Sequence, residues 1–224
     1  MPSSYTPLGV ELMVTGEQAG LWGDKTNTNL NIISQILGGY NSQAVNGTGD
    51  TPLNVSDGAT GATVANRIIE LTGTITGNIT VSIPLDVENF YIIKNSTSGA
   101  HTVEFQYTSG SGTSVTFSAT DKGTKFVYAK ADDGTNPNIV DVFSEFSQIN
   151  LVNQNELRFQ DATGGQYVGL RAATTVGSSF TLNLPTADAT SSGQALVSDS
   201  SGNLSFADAG ISTGKAIAMA IVFG

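Results

Sequence analysis

The chain has 224 residues, of which only 12% are charged and 26 are glycine, and its net charge is −10. Nine Lys and Arg side chains are too few for a surface that binds phosphate backbones, so we expect no nucleic-acid partner. The absence of cysteine excludes disulfides and thiolate metal sites. The longest apolar run, residues 216–223, is too short to cross a bilayer, so we expect no membrane insertion. The abundance of Gly, Thr, Ser and Asn favours a mainly β protein with many turns.

An apolar arm comes first. Within YTPLGVELMV, apolar and polar residues alternate, which predicts an extended segment with one apolar face. The residues on that face are Leu8, Val10, Leu12 and Val14. We expect a partner to cover them.

One short helix is predicted within GLWGDKTNTNLNIISQILGGY. Asp24 or Thr26 can cap its start, and the Gly38-Gly39 pair ends it. The apolar residues that share one face are Leu30, Ile33 and either Ile36 or Leu37. Since a helix of about twelve residues is marginal alone, another module or chain must cover this face.

Two segments follow the helix. Residues 41–65 are rich in Gly, Asn, Ser and Asp, which predicts a linker with one short strand at 53–55. Residues 66–146 contain seven short strand-like runs separated by turn residues, which predicts a small antiparallel β-sandwich. The residues predicted for its core are Ile69, Leu71, Ile75, Ile79, Val81, Ile83, Tyr91, Ile93, Val103, Phe105, Val115, Phe117, Phe126, Tyr128 and Val140.

The run LTGTITGNITVSIP at residues 71–84 alternates Thr or Ser with Ile or Val. That is the period of a strand with one buried face. Gly73 and Gly77 are predicted to be turn or bulge positions, and the Thr side chains to face outward or pair across strands.

Residues 147–224 offer several strands, each with few large apolar residues. One copy cannot build a core from them, but several copies wrapped round a common axis can, because each contributes one apolar stripe. We therefore predict an intertwined C-terminal β-region that forms a homotrimer. Its predicted interface residues are Leu157, Phe159, Leu170, Phe180, Leu182, Leu184, Ile217, Met219, Ile221 and Phe223. The last four lie in GKAIAMAIVFG, for which an ordinary interior strand is the alternative.

Few residues suggest catalysis. His101, the single histidine, lies in the strand-like run GAHTVEF, and the sequence places no metal-ligand set around it. Glycan hydrolysis by two carboxylates is the enzymatic alternative. The pairs available for it are Asp86 with Glu88, Asp132 with Asp133, and Glu11 with Glu17. KADDGTNPN is typical of a solvated turn, and we predict no enzyme activity, cofactor or metal.

Three parts of the chain resemble bacteriophage virion proteins of a tail-fibre-like family of marine phages. They are the amino-terminal run with GDKTNTNLNII, the β-module with LTGTITGNITVSIP and IIKNSTSGAHTVEF, and the run LNLPTADATSSGQALVSDSSGNLSF, which is the most specific. The resemblance implies a non-enzymatic structural protein of the virion, usually a homotrimer, whose amino-terminal part docks on other virion proteins. The attachment point on tail, neck or capsid stays open.

Under this hypothesis residues 1–40 are the docking segment. The side chains predicted to make the contact are Tyr5, Leu8, Leu12, Trp22, Leu30, Ile33 and Leu37. Trp22 either staples the helix locally or inserts into the partner, since aromatic side chains dominate docking energetics.

A glycan-binding module is the competing hypothesis. Exposed aromatics together with Asn and Asp on the sandwich loops would bind sugars of the host surface. The loops concerned are 96–100, 108–113 and 132–138.

Overall fold

The structure, a computed structural model, describes residues 3–161, 165–208 and 221. Contacts divide the chain into unit 1, residues 1–147, and unit 2, residues 148–224. The secondary structure of the described residues is mainly β, with 37% in strands and 9% in one helix, which confirms the mainly β prediction.

Unit 1 begins with a hairpin and a helix. Strand β1 (Ser4–Tyr5) pairs antiparallel with β2 (Glu11–Leu12), and α1 spans Trp22–Gly38. The arm is therefore folded back, not extended as predicted. Gly9 turns the chain with a φ of +84°, and its carbonyl accepts a hydrogen bond from the Gly58 N–H. The helix has 17 residues and starts before both predicted capping residues, and no side chain caps it.

Two sheets form the body of unit 1. The five-stranded sheet has the order β11-β10-β7-β5-β3 and the four-stranded sheet the order β4-β6-β8-β9. Their strands are β3 (Tyr40–Ala44), β4 (Gly47–Pro52), β5 (Ile68–Thr72), β6 (Ile75–Ile83), β7 (Asn89–Asn95), β8 (Val103–Tyr107), β9 (Val115–Phe117), β10 (Thr124–Ala129) and β11 (Ile139–Asp141). Part of the predicted linker thus belongs to these sheets as β3 and β4.

The chain passes back and forth between the sheets, so that β3–β4, β5–β6 and β7–β8 are three stacked coils. Successive coils pair in parallel in both sheets, and only β8–β9, β7–β10 and β10–β11 pair antiparallel in this body. The prediction of an antiparallel sandwich is wrong in this respect. Parallel neighbours need a long crossover, and here each crossover runs through the opposite sheet.

Glycines fit the coils together. Gly73 lies in the turn between β5 and β6 with a φ of +108°, as predicted for a turn position. Gly77 lies inside β6, where a Cβ would come 2.6 Å from the Thr48 Oγ1 of the preceding coil. It faces the irregularity at which the register of β4 shifts, between Gly47 and Gly49.

The core of unit 1 lies between the two sheets. Every predicted core residue from Ile69 to Phe117 is buried. On β10 and β11 the prediction is wrong: Val127, Ala129 and Ile139 are buried instead of the predicted Phe126, Tyr128 and Val140. In KFVYAKA both faces carry apolar side chains, so alternation alone could not identify the inner one.

The described residues of unit 2 form two separate hairpins. Strand β12 (Leu157–Gln160) pairs antiparallel with β13 (Tyr167–Leu170), and β14 (Gln194–Ser198) with β15 (Leu204–Asp208). Asn183 forms a parallel bridge to Asn203 beside the second hairpin. No residue among 148–161 and 165–208 is buried. Ile217, Met219 and Phe223 lie outside the described residues, and Ile221 is exposed.

Candidate assembly surfaces

The helix α1 is attached to the rest of unit 1 by polar side chains and by one buried apolar residue. The Asn29 side chain accepts a hydrogen bond from the Glu11 backbone N–H and donates one to the Glu11 carbonyl, both at 2.9 Å. The Gln35 amide donates to the Ala62 carbonyl at 3.0 Å. Ile32 is the one buried residue of the helix. The attachment therefore combines polar hydrogen bonds with one buried apolar side chain.

The apolar side of α1 faces solvent. We call Trp22, Leu30, Ile33 and Leu37 the helix stripe. Their exposed fractions are 62, 58, 40 and 68%. At about 100° per residue, Leu30 and Leu37 lie about 160° and 140° round the helix from the buried Ile32, and Trp22 and Ile33 lie about 80° and 100° from it, so the stripe is turned away from Ile32. A surface helix ordinarily buries its apolar stripe and exposes its polar face. Here Ile32 is buried, but the four residues of the helix stripe stay exposed.

A buried carboxylate fastens the arm to the helix. Glu11 is nearly inaccessible, its Oε2 lies 3.0 Å from the Lys25 Nζ, and the Gln18 amide donates to its Oε1 at 3.0 Å. The Ser3 hydroxyl and the Lys25 ammonium nearby lower the pKa of Glu11. From the sequence, Glu11 was predicted only as a candidate catalytic carboxylate, because no local spacing links it to Lys25.

The other predicted docking residues occupy different environments. Leu8 is half-buried and packs against the core of its own unit. Tyr5 and Leu12 are exposed. Trp22 is largely exposed in the first turn of α1, which favours an anchor for a partner over a local staple.

The first hairpin of unit 2 has one apolar face. Directly paired residues point to the same side of a hairpin, and Leu157 pairs with Leu170 while Phe159 pairs with Val168. We call these four residues the hairpin face. Leu157, Phe159, Val168 and Leu170 are 47, 56, 69 and 62% exposed. Val168 was not predicted, although its alternation with Leu170 follows the pattern.

The opposite side of this hairpin is polar and internally paired. The Arg158 guanidinium lies 4.2 Å from the centroid of the Tyr167 ring, and its Nε donates to the Glu156 Oε1 at 2.7 Å. The Tyr167 hydroxyl donates to the same carboxylate at 3.2 Å. Arg158 lowers the pKa of Glu156. These charges are balanced within the hairpin.

The predicted interface residues Phe180, Leu182 and Leu184 are also exposed. Their segment runs beside the tip of the second hairpin. There the Asn183 N–H donates to the Gly202 carbonyl, the Asn183 carbonyl accepts from the Leu204 N–H, and the Asn183 side-chain amide donates to the Asn203 side chain at 2.9 Å. A Cβ at Gly202 would come 2.2 Å from the Thr181 carbonyl oxygen. This close fit explains a glycine in the SDSSGNLSF run.

An aromatic cluster that sequence analysis missed lies on the outer side of the five-stranded sheet. Its ring centroids are 6.2 Å apart for Phe90 and Phe126, 4.8 Å for Phe126 and Phe143, and 5.8 Å for Phe143 and Phe146. Phe143 and Phe146 are about half exposed. The error in the orientation of β10 hid this cluster, since Phe126 was assigned to the core.

The candidate catalytic residues are engaged in local structure. Glu88 accepts a hydrogen bond from the Tyr128 hydroxyl, and Asp132 is held by Lys130 and Asn138. His101 lies in the loop before β8. Within residues 3–161, 165–208 and 221 no group of three or more His, Asp or Glu side chains is placed to hold a metal ion.

Two of the predicted sugar-binding loops pack against each other. The Asn136 Oδ1 accepts from the Ser111 N–H, and the Asn138 Oδ1 from the Thr113 N–H. The third loop, 96–100, precedes β8 whereas loop 108–113 follows it, so the two flank opposite ends of that strand. The structure thus joins two of the three loops, and their amides already hold those loops together.

Comparisons with known proteins add no assignment: family models, curated proteins and solved structures gave no match to the chain. In the described part of the chain, no helix has the length and apolar character that crossing a membrane requires.

Proposed function

We propose that this chain is a non-enzymatic structural component of a phage virion, a short fibre or appendage protein. It docks on other virion proteins through residues 1–40 and forms a homotrimer through unit 2. The observation that carries the proposal is the contrast between the units: unit 1 has its own core, whereas the described residues of unit 2 form strands without burying a single residue. Strands of that kind need neighbours to be stable.

The helix stripe supports the docking role. Polar contacts and the buried Ile32 fix α1 to the rest of unit 1 and leave the helix stripe exposed, so a partner can cover the stripe without any rearrangement of the unit. Helices with apolar residues at i, i+3 and i+7 fit grooves on partner proteins.

The solution mass tests the trimer. Light scattering should give roughly three times the chain mass of 23.1 kDa. A monomer at all concentrations that melts in one cooperative transition would refute the trimer.

Virion incorporation tests the docking role. In phage that carry Leu30→Glu with Leu37→Glu, we expect the protein to be lost from purified particles, because two charges would enter an apolar contact. Asn31→Glu is the matched control, since it adds a charge to an exposed position on another side of the same helix. Equal incorporation of both variants would contradict docking through the stripe.

Binding of a host-surface glycan is the second candidate, and the aromatic cluster favours it. The half-exposed rings of Phe143 and Phe146 could stack on sugar rings. A glycan array with the full chain separates the two functions: binding that Phe146→Ser abolishes would support the glycan module.

A further inference from the structure

We propose that the hairpin face is the surface through which copies of this chain associate, with identical faces packing on one another round the trimer axis. The inference rests on the self-association of unit 2 proposed above and identifies its contact. Leu157, Phe159, Val168 and Leu170 make that contact.

The hairpin is strongly two-sided. All four side chains of the hairpin face are apolar and exposed. On the other side, Arg158, Glu156 and Tyr167 satisfy one another by an ion pair, a hydrogen bond and a cation–π contact. An antiparallel sheet with this pattern exposes its polar side to solvent and buries its apolar side against another surface.

The described part of unit 2 does not supply that burial. None of the residues 148–161 and 165–208 is buried, so no core there extends over the hairpin face. A two-stranded hairpin is at best marginally stable in water. The hairpin therefore needs a covering surface that the described residues of unit 2 do not provide.

A second copy of the chain meets this requirement. It is always synthesised together with the first, in equal amount. The hairpin face contains no charged residue, so identical faces approach each other without local repulsion although the chain carries a net charge of −10. The charges of Arg158 and Glu156 lie on the other side and stay in solvent. The helix stripe differs from the hairpin face in its need for a partner. It belongs to unit 1, which has its own core and is expected to be folded before a partner binds.

The absence of cysteine from the chain makes cross-linking a direct test. In the full-length protein, Val168→Cys should give disulfide-linked dimers on mild oxidation, because the 168 side chains of neighbouring copies face the same axis. Gln160→Cys, on the polar side of the hairpin, is the matched control and should stay largely uncross-linked. Equal cross-linking of both variants, or none in Val168→Cys, would overturn the proposed face.

A charge substitution gives an independent readout. Phe159→Asp should lower the solution mass about threefold, whereas Gln160→Asp should leave the trimer intact. If the wild type and Phe159→Asp are both trimers, the hairpin face is not the contact between copies. The proposed function as a trimeric virion component is then not contradicted. If the wild type is a monomer, the proposed assembly itself fails.

Discussion

Gly73 shows how single residues set the spacing of the coils. With a φ of +108° it turns the chain from β5 to β6, and its carbonyl accepts a hydrogen bond from the Ser98 N–H of the next coil. A Cβ there would come 2.4 Å from the Asn46 Oδ1 and 2.8 Å from the Val45 carbonyl oxygen. The turns of three coils therefore meet at a position that only glycine fits.

We expect Gly73→Ala to lower the free energy of unfolding by about 1–3 kcal/mol, because alanine would be strained at this φ and would collide with the preceding turn. Denaturant unfolding followed by circular dichroism measures the loss. Gly134→Ala is the control, since its φ is not positive and no neighbouring atom lies within 4 Å of the added Cβ. An equal effect of the two substitutions would contradict the packing at Gly73.

Glu70, in the middle of β5, links side chains of β3, β5 and the β7 region on the outer face of the five-stranded sheet. Its carboxylate accepts hydrogen bonds from the Lys94 ammonium at 2.8 Å, the Ser96 hydroxyl at 2.6 Å and the Tyr40 hydroxyl at 2.5 Å. These bonds lower the pKa of Glu70 from its usual 4.5 to about 2. The ionised form is thus favoured by folding.

The pKa of Glu70 predicts a pH dependence. Because the folded-state pKa is depressed, the contribution is fully present above pH 4.5 and is lost as the pH falls towards 2. Glu70→Gln should flatten part of the decline in unfolding free energy over this window, as measured by urea titrations at successive pH values. The exposed Asp86→Asn is the control. If the unfolding free energies of the wild type and of Glu70→Gln fall equally with pH over this window, ionised Glu70 does not contribute to the pH dependence of stability.

At the scale of elements, α1 carries neighbouring isoleucines in opposite environments. Ile32 is 1% exposed, whereas Ile33 belongs to the helix stripe. Ile32→Ala should cost about 2–5 kcal/mol of unfolding free energy, as for other large-to-small changes in a core. Ile33→Ala should change it by less than about 0.5 kcal/mol. The fluorescence of Trp22, the single tryptophan, reports this unfolding from the helix itself.

A large loss in the Ile33 variant, or none in the Ile32 variant, would mean that the helix is attached through the opposite face. Both substitutions remove the same atoms from the same helix. Differences in helix propensity or side-chain chemistry therefore cannot account for unequal results.

Element types and most strand orientations could be predicted because they follow from local periodicity. Alternation assigned the buried side chains from β5 to β9, and helical spacing grouped Leu30, Ile33 and Leu37. Neither pattern could predict that Asn29 and Gln35 attach the helix, since that depends on the distant Glu11 and Ala62. Parallel pairing of the coils was equally out of reach, because strand neighbours are a property of the whole chain.

At the scale of the whole molecule, the two units differ in how they can be stable. Residues 1–147 enclose a core, so we expect that fragment alone to unfold cooperatively at a midpoint independent of protein concentration. The full chain should show an additional transition whose midpoint rises with concentration, because unit 2 gains its stability by association. Calorimetry over a wide concentration range measures both.

A fragment of residues 1–147 that fails to fold would show that unit 1 needs unit 2. A full chain whose every transition ignores concentration would show that unit 2 is stable in a single copy. The two results refute different parts of the proposal.

The stacked coils of unit 1 also bear on how its length could vary. Tyr40 pairs with Ile68 and Ile68 with Ile92, so corresponding positions recur after 28 and then 24 residues. Because each coil pairs in the two sheets only with the coils before and after it, duplicating the segment 68–91 would insert one more coil and leave the antiparallel pairing of β9 to β11 unchanged. Homologues of different lengths could arise from this body by whole-coil gains or losses.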